Sequence, residues 1–171
     1  MKEIILKTIN DPELIIASIA LFTSIVSILI GAIGLNIQRK HNRKSVLPFG
    51  SIDLGDYQED INIILWNNGT GPMIIKSCIT KSSSEIKTYP AEWIPDGIHL
   101  SNFVRDLEDQ VLLPGNPITL LQYKVDINNQ VCITNRDQIR SILKDLEIVI
   151  EFTDIYDTKF KTTKKLNWFG R

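Results

Sequence analysis

Residues 14–37 read LIIASIALFTSIVSILIGAIGLNI and carry no charged side chain, and the basic sequence QRKHNRK follows at 38–44. A bilayer core is crossed by roughly 20 apolar residues in helix, so this stretch is long enough to span with some tilt. Its three serines, one threonine and Asn36 can bond to its own backbone or to a neighbouring helix. A soluble core helix of this length almost always has a polar face, which is lacking here. The stretch therefore predicts a transmembrane helix.

The span divides the chain into four predicted parts. Residues 1–13 form a short N-terminal segment, 14–37 the transmembrane helix, 38–45 a basic juxtamembrane linker, and 46–171 a soluble domain. Asp11, Pro12 and Glu13 are typical of a helix start, as a cap, a first helical residue and an acid at the positive end of the dipole. The last part is large enough for a single packed core.

Orientation follows from the charges that flank the span. A basic cluster lies directly after it, formed by Arg39, Lys40, Arg43 and Lys44. Lys2 and Lys7 precede the span but are diluted by three acids, so the positive-inside rule places the C-terminal domain in the cytoplasm. A cleaved signal peptide is disfavoured because the basic cluster is on the wrong side. We expect a single-pass protein of the bacterial inner (plasma) membrane whose basic cluster contacts membrane lipid.

Small residues within the span follow an unbroken heptad spacing. Helices in lipid associate through close approach at such residues, and a 3.5-residue repeat keeps one face on a partner. The pattern predicts a homo-oligomer, although small residues are also common in membrane helices generally. The seam consists of Ala17, Ala20, Ser24, Ser27, Gly31 and Gly34.

The period changes to that of β-strands after residue 45. Ile61, Ile63 and Leu65 alternate with other residues and predict a strand, and MIIKSCIT (73–80) predicts a second one after the turn sequence at 67–72. Further strands are expected at 85–89, on both sides of 114–117, at 146–154 and at 158–169. The last strand has lysines at outward positions, which is typical of an edge strand. These lysines are Lys159, Lys161, Lys164 and Lys165.

Two segments show helical periodicity instead. Residues 99–108 place Leu100, Phe103, Val104 and Leu107 on one face, and residues 135–145 do the same with Ile139, Ile142 and Leu143. The predicted fold class is a single N-terminal transmembrane helix followed by a mainly β domain, an antiparallel immunoglobulin-like sandwich with two short inserted helices.

The phrase LWNNGTGP (65–72), the sequence LPG (113–115) and IVIEFTDIYDTKF (148–160) resemble small bacterial membrane-anchored proteins with an immunoglobulin-like β-sandwich. The resemblance implies that the N-x-G-x-G-P turn lies between two core strands. The chain departs from that group in two ways: Met73 stands where alanine is frequent, and two helices are inserted. The overall plan also looks like that of membrane effectors of prokaryotic antiphage defence, including accessory proteins of type III CRISPR systems.

No residue pattern indicates catalysis. His41 and His99 lack a partner at triad or metal-ligand spacing, so we expect no enzyme, no metal and no cofactor. Cys78 and Cys132 are expected to be small buried side chains. In an oxidising compartment the alternative is one disulfide bridge between them. Gly69-Thr70-Gly71 lacks the Lys-Ser/Thr of a phosphate-binding loop and is better explained as a tight turn.

Six cationic residues are candidates for binding an anionic ligand. In a symmetric oligomer they would repeat around the axis and hold a ligand that one subunit cannot. Residues 46–171 carry 13 Lys and Arg against 17 Asp and Glu, which argues against duplex nucleic acid as a partner. The six are Lys76, Lys81, Arg105, Arg136, Arg140 and Lys144.

Two functions are compatible with these features. The first is a non-enzymatic oligomeric membrane protein whose cytosolic sandwich binds a signal, for instance a cyclic oligonucleotide or another small anion, and acts through the membrane helices, as in antiphage defence. The second is a membrane-anchored scaffold or assembly partner of another envelope protein.

Overall fold

A computed structural model describes residues 12–170. The predicted N-terminal segment and the Asp11 cap lie outside the described residues, apart from the helix start at Pro12. The chain forms two compact units, which meet in sequence between Lys44 and Ser45. Each unit is described by itself below.

The first unit contains helix α1, Pro12–Lys44, which is long and apolar enough to cross a membrane. None of its residues is buried within the chain. The hydroxyls of Ser18, Ser24 and Ser27 each donate to the carbonyl four residues earlier at 2.8 Å, as predicted for a span that satisfies its own polar groups. The helix continues through the basic cluster, so the predicted linker at 38–45 is helical as far as Lys44.

The second unit is built from two antiparallel sheets that enclose one core. The strands are β1 (Gly50–Asp56), β2 (Asp60–Asn67), β3 (Met73–Lys81), β4 (Ile86–Lys87), β5 (Asn102–Phe103), β6 (Val111–Leu112), β7 (Pro117–Lys124), β8 (Glu147–Thr153) and β9 (Lys159–Lys165). The first sheet has the order β1-β2-β7-β5, and the second has the order β4-β3-β8-β9 with β6 added at the start of β3. Short 3-10 turns occupy Pro90–Trp93 and Asn167–Gly170.

The core follows the alternation of the central strands. Ile61, Ile63 and Leu65 of β2 are completely buried, as are Ile148 and Ile150 of β8. Side chains on one face of a strand alternate with those on the other, so burial of one set requires the partner sheet to cover it. The mainly β class and the predicted strand pattern are therefore confirmed, and β1, whose Ile52 is also buried, was not predicted.

One predicted helix is wrong. Residues 99–108 form no helix, because their backbone bonds to the edge of β7 instead. Ser101 N donates to Gln122 O at 2.9 Å, and Asn102 and Phe103 pair with Gln122 and Leu121. The apolar residues of this segment are divided between the core and the surface, with Leu107 buried and Phe103 36% exposed. Pairing with a sheet edge outweighs the local helical period.

The second inserted helix is present but begins earlier than predicted. Helix α2 runs Gln130–Leu143, and Ile139 and Leu143 are its buried residues. Asn129 caps it by accepting from Val131 N at 3.0 Å, a signal that lies outside the predicted range of 135–145. The predicted edge strand is confirmed as β9, whose four lysines are all exposed.

Candidate functional site: a lysine cleft at the distal end

The register of the strands defines two ends of the sandwich. Gly50 pairs with Asn67 in one sheet and Ile74 pairs with Thr153 in the other, so one end collects the loops 45–49, 67–72, 113–116 and 154–158. We call this the proximal end, because the chain arrives there from α1. The distal end collects the turn 57–59, the loop 82–85, the connections that flank α2 and the residues after β9.

Asn67 lies at the centre of the proximal end and is completely buried. Its side-chain amide donates to Gly71 O at 2.8 Å and to Leu112 O at 2.9 Å. Its side-chain oxygen accepts from Gly69 N at 3.1 Å and Phe49 N at 3.3 Å. The amide thereby satisfies its own polar atoms and joins three loops of the proximal end.

The N-x-G-x-G-P turn is confirmed as a connection between two core strands, β2 and β3. A Cβ on Gly71 would lie 1.9 Å from Val46 O, and one on Gly69 would lie 2.3 Å from Phe49 N, so both positions require glycine for close approach. Thr70 N and Gly71 N donate to Leu47 O, and Gly69 N donates to Asn67. These N–H groups are engaged within the fold, which agrees with a structural turn.

Arg136 and Arg140, two of the six candidate cations, stabilise the position of α2. Arg140 contacts Asp56 through two nitrogens, at 2.6 and 2.7 Å, and Arg136 donates to Gln58 O at 3.1 Å. Both also contact Asp137, and the hydrogen bond from Arg136 is the main reason that the pKa of this carboxyl lies below its usual value. Both guanidinium groups therefore join α2 to the β1–β2 turn.

Two more of the candidate cations, Lys76 and Arg105, lie in different parts of the sandwich. Lys76 pairs with Asp109 at 2.6 Å, and this hydrogen bond raises the pKa of the lysine. Arg105 lies over the ring of Phe103, 5.0 Å from its centroid, beside a groove formed by residues 89–105 that also includes His99. His99 begins no helix, contrary to prediction. The six cations thus do not converge on one site within a single chain.

The structure does bring Lys81 and Lys144 together, and it adds Lys165. Lys81 is the last residue of β3, Lys144 follows the last residue of α2, and Lys165 is the last residue of β9. They surround a cleft of about 410 Å³ at the distal end, here called the lysine cleft. Its lining consists of Lys81, Ser82, Ser83, Lys144, Asp145, Leu146, Glu147, Lys165 and Asn167.

Glu147 organises the charges of the lysine cleft. It pairs in register with Lys81 on one side and Lys165 on the other, and Lys81 Nζ lies 2.9 Å from Glu147 Oε2. The hydrogen bond from Lys81 is the main cause that lowers the pKa of Glu147, and Lys165 contributes as a nearby charge. Lys144 and Lys165 form no ion pair within residues 12–170. The ammonium groups of Lys144 and Lys165 therefore lie beside the lysine cleft with charge that an anion could neutralise.

Sequence reasoning missed Lys165, because it explained this residue as edge-strand charge. The available signal was the end of β9, which must lie beside the start of β8 in a hairpin and hence beside Glu147. The role of Lys144 depends on where α2 ends. The helical period predicted an end at residue 145, whereas the helix ends at Leu143.

The cysteines and acidic groups indicate no further chemistry in the described part of the chain. Both cysteines are free thiols, and burial raises the pKa of Cys78 to about 12, so it remains protonated and unreactive at neutral pH. Asp154 Oδ1 accepts from Tyr156 N and Thr158 N at 2.8 and 2.9 Å, which accounts for its place in the β8–β9 turn. Residues 12–170 contain no cluster of three His, Cys, Asp or Glu suited to a metal ion.

Comparison with known proteins gives only distant similarity to solved structures. Neither a protein-family model nor a curated protein matches the chain. Among solved structures, the archaeal flagellum of Methanospirillum hungatei strain JF1 aligns over 90% of this chain and 90% of that chain, at 10% sequence identity and a TM-score of 0.32. A TM-score this low carries no argument about fold or function. The class of protein therefore follows from the fold alone: a β-sandwich preceded by a helix long and apolar enough to cross a membrane.

Proposed function

We propose that this protein is a non-enzymatic, membrane-anchored binding protein that recognises a small anionic ligand at the lysine cleft. The observation that carries the proposal is the convergence of Lys81, Lys144 and Lys165 from three elements on one concave site. Within residues 12–170 the ammonium groups of Lys144 and Lys165 lie in no ion pair, and two such groups beside a concave site suit a phosphate or carboxylate.

The lysine cleft lies at the distal end of the sandwich, at the opposite end of the strands from the loops at 45–49 and 67–72. The proposed orientation places the sandwich in the cytoplasm, where a cyclic oligonucleotide of the kind used in antiphage defence is the most specific candidate. The small-residue seam of α1 would then couple the ligand to the state of a homo-oligomer.

Binding to full-length protein in nanodiscs tests the proposal. We expect cyclic oligonucleotides or inorganic pyrophosphate to bind by calorimetry at tens of micromolar or below. The double variant Lys144→Gln, Lys165→Gln should weaken binding by about tenfold or more, because a charge-assisted hydrogen bond contributes about 1.5–3 kcal/mol.

Lys164→Gln is the matched control, since Lys164 is an exposed lysine of the same strand on the opposite face. Its affinity should equal that of the parent protein. Absence of binding by every anion at tens of micromolar would remove the proposal, as would an equal loss in the control.

A second candidate function is that of a scaffold for another envelope protein, and a different surface favours it. Tyr57 and Val131 are each 65% exposed at the distal end, and their elements are joined by the bond between Arg136 and Gln58 O. Exposed aromatic and aliphatic side chains near the tip of a domain suit a protein interface. A photo-crosslinker at Val131 in intact cells should capture one defined protein, whereas one at Thr163 on β9 should not.

A further inference from the structure

The proximal end presents apolar side chains from three separate loops. Phe49 is 63% exposed, Leu113 is 55% exposed and Ile155 is 53% exposed. They belong to the segment before β1, the loop before β7 and the β8–β9 turn, which the register brings to the same end. Tyr156 adds an exposed aromatic ring beside Ile155.

No flexible linker separates α1 from the hydrogen bonds of the second unit. Lys44 is the last residue of α1, and the next residue, Ser45, already accepts a hydrogen bond from Thr70 Oγ1 at 2.7 Å. Leu47 O accepts two further bonds, from Thr70 N and Gly71 N. The chain is therefore bound to the proximal end from the first residue of the second unit.

Helix length places this connection at the membrane surface if α1 spans. Residues 38–44 extend about 10 Å beyond the uncharged stretch at about 1.5 Å per residue. The headgroup layer on each side of a bilayer is about 5–8 Å thick. Ser45, and with it the loops of the proximal end, would then lie at the outer boundary of the headgroups.

We infer that the proximal end is a lipid-docking surface, on which Phe49, Leu113 and Ile155 insert into the headgroup region. The inference rests on the membrane span of the proposed function but not on its ligand. Aromatic and aliphatic side chains suit the interface, and the basic cluster at 39–44 attracts anionic lipid to the same place. Exposed apolar residues also occur at the distal end, for example Ile86, so exposure alone does not select the surface; the covalent connection does.

Spin labels on full-length protein test the inference in vesicles of phosphatidylcholine and phosphatidylglycerol. Ile155→Cys and Leu113→Cys are labelled in a Cys132→Ser background, and Cys78 is kept because its thiol is buried. The measurement compares collisions of each label with oxygen and with a water-soluble nickel chelate. We expect labels at 155 and 113 to favour oxygen several-fold relative to a label at Ile86→Cys, a residue that is 69% exposed at the distal end.

A label at Ile28→Cys within α1 reports on the span itself. If that label is buried in lipid while 155 or 113 is as accessible to the nickel chelate as 86, the docking surface is overturned and the span survives. If the label at 28 is itself exposed to the nickel chelate, both the span and the docking surface fail. Each labelled protein should retain the unfolding midpoint of the parent, which shows that the comparison is made on folded domains.

Discussion

At the residue scale, the side chain of Asn67 connects segments that are far apart in the chain. Its four hydrogen bonds reach Phe49, Gly69, Gly71 and Leu112, and its backbone atoms bond to Gly115 and Asn116. A buried amide is costly unless its donors and acceptor are all used, and here they are. The first position of the N-x-G-x-G-P phrase is therefore explained by bonds to neighbouring loops as well as by the turn.

Asn67→Ala should lower the free energy of unfolding by about 3 kcal/mol or more, because each buried polar group left without a partner costs about 1–3 kcal/mol. Urea denaturation of the full-length protein in detergent, followed by the fluorescence of the sandwich, measures the loss. Asn68→Ala is the control, since among the described residues its side chain bonds only to Ser51 Oγ at the surface, and it should cost less than about 1 kcal/mol. Equal losses for the two variants would contradict the role assigned to Asn67.

At the element scale, α2 is attached to the sandwich by apolar packing on one face and by arginines on another. Ile139 and Leu143 enter the core, while Arg140 reaches Asp56 on β1 and both partners are largely shielded, 27% and 14% exposed. A shielded, two-nitrogen pair is screened less than a surface pair and holds a defined geometry. These contacts explain why the candidate cations on α2 are unavailable to a ligand within one chain.

A double-mutant cycle with Arg140→Gln and Asp56→Asn should give a coupling energy of about 1–2 kcal/mol in chemical denaturation. The matched cycle for Arg140 and Asp137, an i,i+3 pair whose acid is 57% exposed, should give below about 0.5 kcal/mol. Indistinguishable couplings in the two cycles would show that the Asp56 contact adds no more than an ordinary surface pair.

At the scale of the whole molecule, the seam in α1 predicts that copies of the chain associate. A Cβ at Gly31 or Gly34 would meet no atom within 4 Å in the described chain, so larger side chains are compatible with the helix itself. A change in the mass of the assembly on substitution is therefore expected only if these positions contact another copy of the chain.

Gly31→Leu combined with Gly34→Leu should shift the detergent-solubilised protein to a smaller species, because leucine prevents the close approach of two helix backbones. Light scattering coupled to size-exclusion chromatography gives the protein mass within the detergent complex. Ile28→Leu combined with Ile33→Leu changes residues outside the seam and should leave the mass unchanged. A constant mass in the glycine variant would refute the seam.

Local patterns were sufficient for much of the architecture. The alternation of Ile61, Ile63 and Leu65 needs only a period of two and a buried face, so β2 was predicted in place, and the glycines at 69 and 71 marked its end. The uncharged stretch at 14–37 likewise predicts a long apolar helix by composition alone. Lysines on β9 predicted an edge strand, because charge on an edge prevents pairing with other chains.

Other features depend on partners that are distant in the chain. Residues 99–108 have a helical period, but the free edge of β7 offers backbone bonds that no local pattern reveals. Lys81, Lys144 and Lys165 are separated by 84 positions of chain and meet only because three elements end at the same corner. The sequence by itself determined the apolar helix, the central strands and the turn between them, since these follow from short-range period and glycine sterics. Only the tertiary structure decided which cations are paired and which surround a cleft, because side-chain electrostatics depends on distances that folding sets.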